Sequence, residues 1–99
     1  MPLSNPQKRH LKGLAHSLKP VVMVGQHGLT EGVFNELEIA LDTHELIKVR
    51  ISAGDRDERD EMLTVLVEKS SAELVQRIGN IAVLYRHNPK KPKIVLPKG

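Results

Sequence analysis

Apolar residues recur with the period of a helix in three segments of the chain, which predicts three helices. The first helix starts at Asn5-Pro6, with Asn5 as the N-cap and Pro6 as the first helical residue, and it ends at Lys19-Pro20. Thr30 is predicted to cap the second helix, and the third covers roughly 57–70, opening on acidic residues that suit a helix N-terminus. The predicted buried faces of the three helices are Leu11, Leu14, Ala15 and Leu18, then Val33, Phe34, Leu37, Ala40 and Leu41, then Met62, Leu63, Leu66 and Val67.

Four shorter runs of apolar and β-branched residues predict strands. The run 21–24 is typical of a buried strand, and the alternation in 46–51 places Lys48 and Arg50 together on one face. Residues 74–86 predict a β-hairpin around a two-residue Gly-Asn turn. The element order α-β-α-β-α-β-β predicts an α/β fold, in which one compact domain packs its helices on a mixed sheet of about four strands.

Basic and acidic residues are separated along the chain. The sequence has 15 Lys and Arg against 12 Asp and Glu, a formal net charge of +3. Residues 1–28 and 74–99 contain no acid, whereas 29–47 contain no Lys or Arg and 55–73 are mainly acidic. If the two basic ends meet in the folded chain, they form a cationic patch of the kind that binds nucleic acid. The alternative is a set of scattered, solvated charges.

The sequence lacks the residues that several catalytic and cofactor sites require. It has no cysteine, which excludes disulfides, thiolate metal sites, iron–sulfur clusters and cysteine nucleophiles. His44-Glu45 begins like the zinc motif HExxH, but Lys48 stands where the second histidine would be. We therefore expect no enzyme activity, no metal and no cofactor. Because no apolar run approaches the length of a membrane span, we expect a cytoplasmic protein with no membrane partner.

A glycine pair frames the loop Gly25-Gln26-His27-Gly28, between a predicted buried strand and a capped helix. Without a Cβ, two glycines at this spacing let another backbone approach closely, and nearby amide N–H groups can receive phosphate oxygens. KH domains clamp a nucleic-acid backbone with a GxxG loop in this way. The alternative is that the glycines only serve a tight turn from strand to helix.

Five segments together are more specific than the GxxG motif alone. These segments are Ala15–Pro20, Val24–Thr30, His44–Val49, Val75–Gly79 and Val83–Arg86. In this order they resemble the CRM domain (chloroplast RNA splicing and ribosome maturation), whose bacterial stand-alone form is the YhbY family. The resemblance covers residues from about 3 to 86. It implies a fold similar to the C-terminal domain of translation initiation factor three, with a KH-like GxxG loop. It also implies RNA binding, association with precursors of the large ribosomal subunit, and a role in ribosome assembly.

Carried over to this chain, the resemblance implies a set of RNA-binding residues, which are Gly25, Gln26, His27 and Gly28 in the loop and the cations Lys8, Arg9, Lys12, Lys19, Lys48 and Arg50. Many relatives have Lys or Arg inside the loop, where this chain has Gln26 and His27. We therefore expect binding to depend on backbone amides of the loop and on the first helix. The alternative function is a protein-interaction module that docks an acidic partner through the same basic face. A monomer is expected in both cases.

Several residues are interpreted one by one. His27 is expected to contact RNA, whereas His16 and His44 are expected to have structural roles at helix ends and Tyr85 to lie in the core.

Two features near the end of the chain allow more than one interpretation. Arg77 and Arg86 either extend the patch or pair with Glu73. The chain is predicted to form one domain over 1–99, with a basic, proline-rich tail at 87–99 beyond the core. In this tail, residues 94–96 either add a short edge strand or belong to a mobile segment.

Overall fold

A computed structural model of the protein describes residues 2–98, and the seven elements follow in the predicted order. They are α1 (Asn5–Ala15), β1 (Pro20–Val24), α2 (Glu31–His44), β2 (Leu46–Ile51), α3 (Arg56–Ser70), β3 (Glu73–Ile78) and β4 (Ile81–Tyr85). The predicted α/β class with a mixed four-stranded sheet is confirmed. No helix within residues 2–98 has the length and apolar character needed to cross a membrane.

Three loops, which are β1–α2, β2–α3 and the β3–β4 turn, lie together at one end of the sheet. The strand order is β1-β2-β4-β3, in which β2 is parallel to β1 and antiparallel to β4. The strands β1 and β2 therefore finish beside the turn of the β3–β4 hairpin, and the Ile51 N–H donates to the Asn80 carbonyl at 2.8 Å. We call this end, formed by residues 25–30, 52–55 and 79–80, the loop end. Both α2 and α3 begin there, so their positive N-termini lie at the same end of the molecule.

The two faces of the sheet are covered unequally. Helices α2 and α3 pack on one face of the sheet. There the apolar residues of the two helices form a large buried cluster with the strand residues Val22, Val24, Ile47, Val49 and Ile51. Helix α1 packs on the other face, where Leu11 and Ala15 are buried against Leu46, Val75, Val83 and Tyr85. We call this second side the α1 face. Because a single helix cannot cover four strands, the part of the α1 face nearest the loop end stays open.

Helix α1 differs from its prediction at both ends. Its N-cap is Ser4 rather than Asn5, because Gln7 completes a capping box with Ser4. The Ser4 hydroxyl accepts the Gln7 N–H at 3.2 Å, and the Gln7 side-chain oxygen accepts the Ser4 N–H at 3.0 Å. The helix ends at Ala15, and the chain turns before β1, so Leu14 and Leu18 are 42% and 38% exposed rather than buried. The prediction that they belong to the core is wrong.

The cap of α2 follows the prediction, and α3 begins at Arg56, one residue before its predicted start. The Thr30 hydroxyl accepts the Val33 N–H at 3.2 Å, which confirms the predicted cap of α2. Asp55 caps α3, and its carboxylate accepts the Glu58 N–H at 2.9 Å. Because side-chain caps satisfy amides that have no partner within a helix, both caps fix the direction in which the chain leaves the sheet. The two caps thereby set the geometry of the loop end.

The C-terminal segment, residues 87–98, lies against the α1 face and forms no strand within the described residues. Ile94 and Leu96 pack on the cluster under α1, and the Gln7 side-chain amide donates to the Pro97 carbonyl at 3.0 Å. The proposed edge strand at 94–96 is therefore absent. Residue 99 of the predicted tail lies outside the described residues.

Candidate nucleic-acid interface

The GxxG loop turns sharply at its second glycine. Gly28 has a φ of 71°, in the left-handed region that favours glycine, and its N–H donates to the Gly25 carbonyl at 3.0 Å. Gln26 and His27 occupy the tip of this turn, and both are exposed. The glycine at position 28 is thus explained by the fold itself.

Gly25 has no comparable structural reason to be glycine. Its φ lies outside the left-handed region, and a Cβ built on it would meet no atom within 4 Å. An alanine would therefore fit the folded chain at this position. A residue without Cβ at an exposed, unstrained site is the arrangement expected where another molecule approaches the backbone closely.

Free amides lie at the tip of the same loop. Within residues 2–98, the N–H groups of Gln26 and His27 donate no hydrogen bond to another backbone group. They are followed directly by Thr30 and the N-terminus of α2. Exposed amides beside a helix N-terminus can bind phosphate oxygens. Glu31, in the first turn of α2, is a negative charge close to this position, so cations elsewhere must supply the attraction for a polyanion.

Four of the predicted cations lie on the α1 face of the sheet or on the adjoining side of α1. Lys12 and Lys48 line one cavity of about 260 Å³ between α1 and the sheet, together with His16. Lys8 stands one turn before Lys12 on the same side of α1, because residues four apart are neighbours on a helix. Arg50 projects from β2 on the same face as Lys48, one step nearer the loop end, and is exposed.

The other two predicted cations are placed differently. Arg9 is exposed on α1, one position around the helix from Lys8. Lys19 precedes β1, at the end opposite Gly25, where it lines an apolar cavity of about 400 Å³ with Leu14 and Leu18. The length of β1, roughly 16 Å at the usual rise of a strand, separates Lys19 from the loop. The structure therefore separates Lys19 from the loop, although the adjacent Pro20 lies beside Lys48 in the sheet.

Arg77 and Arg86 both form ion pairs with acidic residues of the helices. Arg86 donates to the carboxylates of Glu38 at 2.7 Å and Asp42 at 2.8 Å, and Arg77 pairs with Asp60. Neither pairs with Glu73, so that expectation is wrong. Arg77 is paired with Ala82 across the hairpin, and the Ala82 side chain belongs to the buried cluster under α2 and α3. Since paired residues project from the same face, the Arg77 side chain lies on the face covered by α3.

A second cationic cavity, which the sequence interpretation missed, lies at the loop end. It has a volume of about 600 Å³ and is lined by Arg56, Arg59, Arg77, Gly79 and Asn80. Arg59 donates to the Gly54 carbonyl at 2.9 Å, which holds its guanidinium beside the α3 N-terminus. In the sequence, Arg56 and Arg59 lie inside the mainly acidic segment 55–73. Their position directly after Asp55 could have indicated this cavity, because it places both arginines in the first turn of α3, at the loop end.

His44, His27 and Tyr85 lie where the sequence predicts them. His16 also lies at the predicted helix end, but it lines a cavity as well. His44 is the last residue of α2, His27 is exposed on the loop, and Tyr85 is buried. Burial raises the pKa of the Tyr85 hydroxyl, and the negative charges of Glu45 and Glu73 raise it further. His16 caps the C-terminus of α1 but also lines the Lys12–Lys48 cavity, so it borders the cationic surface.

The structure combines an accessible glycine loop with cations on an open face of the sheet. The sequence of the chain matches the model of a known family. The model of the CRS1 / YhbY (CRM) domain matches residues 3–86. The chain belongs to the CRM domain family. The match covers α1 through β4 and thus every candidate residue named above.

Two relatives of this CRM domain and one solved structure match over most of their length. An RNA-binding protein of Haemophilus influenzae is 51% identical over 96 residues, covering 97% of this chain and 96% of that protein. A probable RNA-binding protein of Pseudomonas aeruginosa is 50% identical over 93 residues, covering 94% of this chain and 89% of the relative. The solution structure of a hypothetical protein from Staphylococcus aureus superposes with a TM-score of 0.81 at 35% identity, covering 97% of this chain and 100% of that one.

Proposed function

We propose that this CRM domain binds RNA by clamping the sugar–phosphate backbone in the GxxG loop, and that its target is ribosomal RNA in precursors of the large subunit. The observation that carries the proposal is Gly25, a glycine that the fold does not require. It stands beside two exposed amides and the N-terminus of α2. The relatives named as RNA-binding proteins support the same class of ligand.

The cations of the α1 face supply the long-range attraction. Lys12, Lys48 and Arg50 face the same open surface, and Arg50, beside Met23, lies nearer the loop than Lys48, which lies beside Pro20. Phosphate contacts of this kind give affinity and orientation without reading sequence. With one Phe and one Tyr in the chain, and Tyr85 buried, the interface has no aromatic platform. The protein acts by binding, and no chemical step is assigned to it.

A loop variant tests the site. Gln26→Asp combined with His27→Asp places two carboxylates at the exposed tip, where phosphate oxygens must approach the amides. The expected result is a loss of affinity for structured RNA of at least tenfold, measured by fluorescence anisotropy, with an unchanged melting temperature. The matched control is Asn35→Asp with Thr64→Asp, because both residues are exposed on α2 and α3 and the change in net charge is the same. Equal losses in the two variants would contradict a clamp at the loop.

Sedimentation of a cell lysate tests the ribosomal target. We expect the protein to co-sediment with large-subunit precursors on a sucrose gradient and to leave these fractions after nuclease treatment. Retention after nuclease treatment would favour the alternative function, an acidic protein partner on the same face. Absence from all ribosomal fractions, with binding to RNA intact in vitro, would contradict the assignment to ribosome assembly.

A further inference from the structure

One row of side chains crosses all four strands of the sheet at the open part of the α1 face. In register, Met23 of β1 lies beside Arg50 of β2, Arg50 lies beside Ile81 of β4, and Ile81 lies beside Ile78 of β3. Their neighbours along the strands alternate into the opposite core, so all four side chains project from the same face. Three strand spacings make the row about 14 Å wide. We call these four residues the sheet row.

The three apolar side chains of the sheet row are not fully buried by the fold. The side chains of Met23 and Ile78 are 57% and 64% exposed, and Ile81 is only partly buried. Single exposed apolar residues are ordinary, but an aligned group beside a functional surface marks a binding site. Helix α1 packs on Leu46, Val75 and Val83, farther from the loop end, and leaves Met23 and Ile78 exposed.

The charges around the sheet row select a polyanion. Arg50 lies within the row, and Lys12 and Lys48 line the cavity that adjoins Ile78 and Ile81. None of the described residues in the row or lining this cavity is acidic. The loop begins at Gly25, two residues after Met23, so a strand held in the GxxG loop passes the edge of the row.

We propose that the sheet row docks unpaired RNA bases of the strand whose backbone the GxxG loop holds. The proposal rests on the proposed function and names its ligand more closely, as single-stranded rather than duplex RNA. In a duplex the base faces are stacked on one another, whereas splayed bases can lie against apolar side chains and stack on an arginine guanidinium. Met23 and Ile78 provide apolar surface, Arg50 provides a guanidinium plane, and the row is wide enough for about two bases.

The two parts of the surface differ in what they require of the ligand. The loop amides and the lysines bind phosphates and are indifferent to the presence of bases. The sheet row gains nothing from a strand without bases. A comparison of strands that differ only in their bases therefore separates the row from the loop.

Binding of the full chain is measured at one salt concentration to three ligands of equal strand length. They are a single-stranded oligonucleotide, an abasic strand with the same phosphates, and the same oligonucleotide paired in a duplex. The wild-type chain is expected to bind the base-bearing single strand about tenfold more tightly than either other ligand. The variant Met23→Thr with Ile78→Thr is expected to bind all three at the level of the abasic strand. Threonine keeps the strand propensity and the charge at both positions.

The control variant is Val21→Thr with Val95→Thr, which removes apolar surface from two exposed residues outside the row. It should retain the wild-type preference for the base-bearing strand. Equal wild-type affinity for base-bearing and abasic strands would overturn the base-docking proposal and leave the loop clamp standing. A lack of wild-type affinity for all three ligands would overturn both. A wild-type dimer that the Met23→Thr, Ile78→Thr variant converts to monomer would show that the row binds a second copy of the chain instead.

Discussion

The Glu45 carboxylate accepts the backbone N–H of Ile94 at 2.8 Å, which ties the junction between α2 and β2 to the C-terminal segment. It also accepts the N–H of Lys93 at 2.7 Å and of Asn88 at 2.6 Å. Glu45 is fully buried and has a φ of 63°, a conformation that a residue with a side chain rarely adopts. Three charge-assisted hydrogen bonds offset the costs of burying a carboxylate and of this backbone conformation. Glu45 thus anchors residues 88–94 on the domain.

Removing the Glu45 side chain should destabilise the fold even where the replacement suits the backbone. Glu45→Gly relieves the positive φ but leaves three amides without their acceptor, and we expect a loss of about 3 kcal/mol in the free energy of unfolding. Urea denaturation measures it. The control is Ser71→Gly, because Ser71 also has a positive φ, of 59°, and caps α3 without such bonds. That variant should be as stable as the wild type or more stable by up to about 1 kcal/mol. A Glu45→Gly variant of wild-type stability would contradict the anchoring role.

The same carboxylate should make stability depend on acidic pH. Burial on its own raises the pKa of Glu45, but the hydrogen bonds from Asn88, Lys93 and Ile94, with His87 nearby, lower it below its ordinary value of 4.5. A carboxyl whose pKa is lower in the folded chain contributes stability above its unfolded pKa, and the contribution is lost as the pH falls through the folded pKa.

The difference in unfolding free energy between the wild type and Glu45→Gln should therefore be constant from pH 7 to pH 5 and shrink below about pH 4.5. Parallel urea titrations across this range measure the difference. A difference that stays constant down to pH 3 would show that the ionised carboxylate is not what holds the segment.

Charge reversal on the α1 face should weaken RNA binding according to position rather than net charge. Lys12→Glu places a negative charge in the cavity that Lys48, Ile78 and Ile81 line, whereas Lys19→Glu makes the same change in a different cavity, at the end of β1 farthest from the loop. We expect the Lys12→Glu variant to lose about tenfold or more in affinity. Because it loses roughly one phosphate contact, the slope of log K against log salt should become shallower by about 0.7. The Lys19 variant should retain most of its affinity, and equal losses in the two would contradict the placement of the interface.

The order of elements could be predicted from the sequence because it depends on local signals. Helical periodicity, the Thr30 cap and the Gly79-Asn80 turn each act over a few residues. The start of α1 was misplaced by one residue because serine and asparagine are both good caps, and only the partner Gln7 decides between Ser4 and Asn5.

The features that were missed depend on residues far apart in the sequence. The position of the C-terminal segment rests on a buried carboxylate 49 residues before Ile94, which the sequence shows only as one acid in an acidic stretch. The GxxG loop was recognised because its residues are contiguous. The sheet row could not be recognised, since its exposure follows from how little of the sheet α1 covers. Lys19 was grouped with the loop by its place in the basic N-terminal stretch, although β1 carries the chain away from it.

The most direct test of the account is the affinity of Gly25→Ala for structured RNA. The added methyl group meets no atom of the folded chain, so the variant should be as stable as the wild type or slightly more stable. Gly13→Ala is the matched control, because it adds the same methyl in open space on α1. If the loop clamps the RNA backbone, Gly25→Ala should lose about tenfold or more in affinity, while Gly13→Ala binds like the wild type. Wild-type affinity of a folded Gly25→Ala variant would show that the loop is only a turn between β1 and α2.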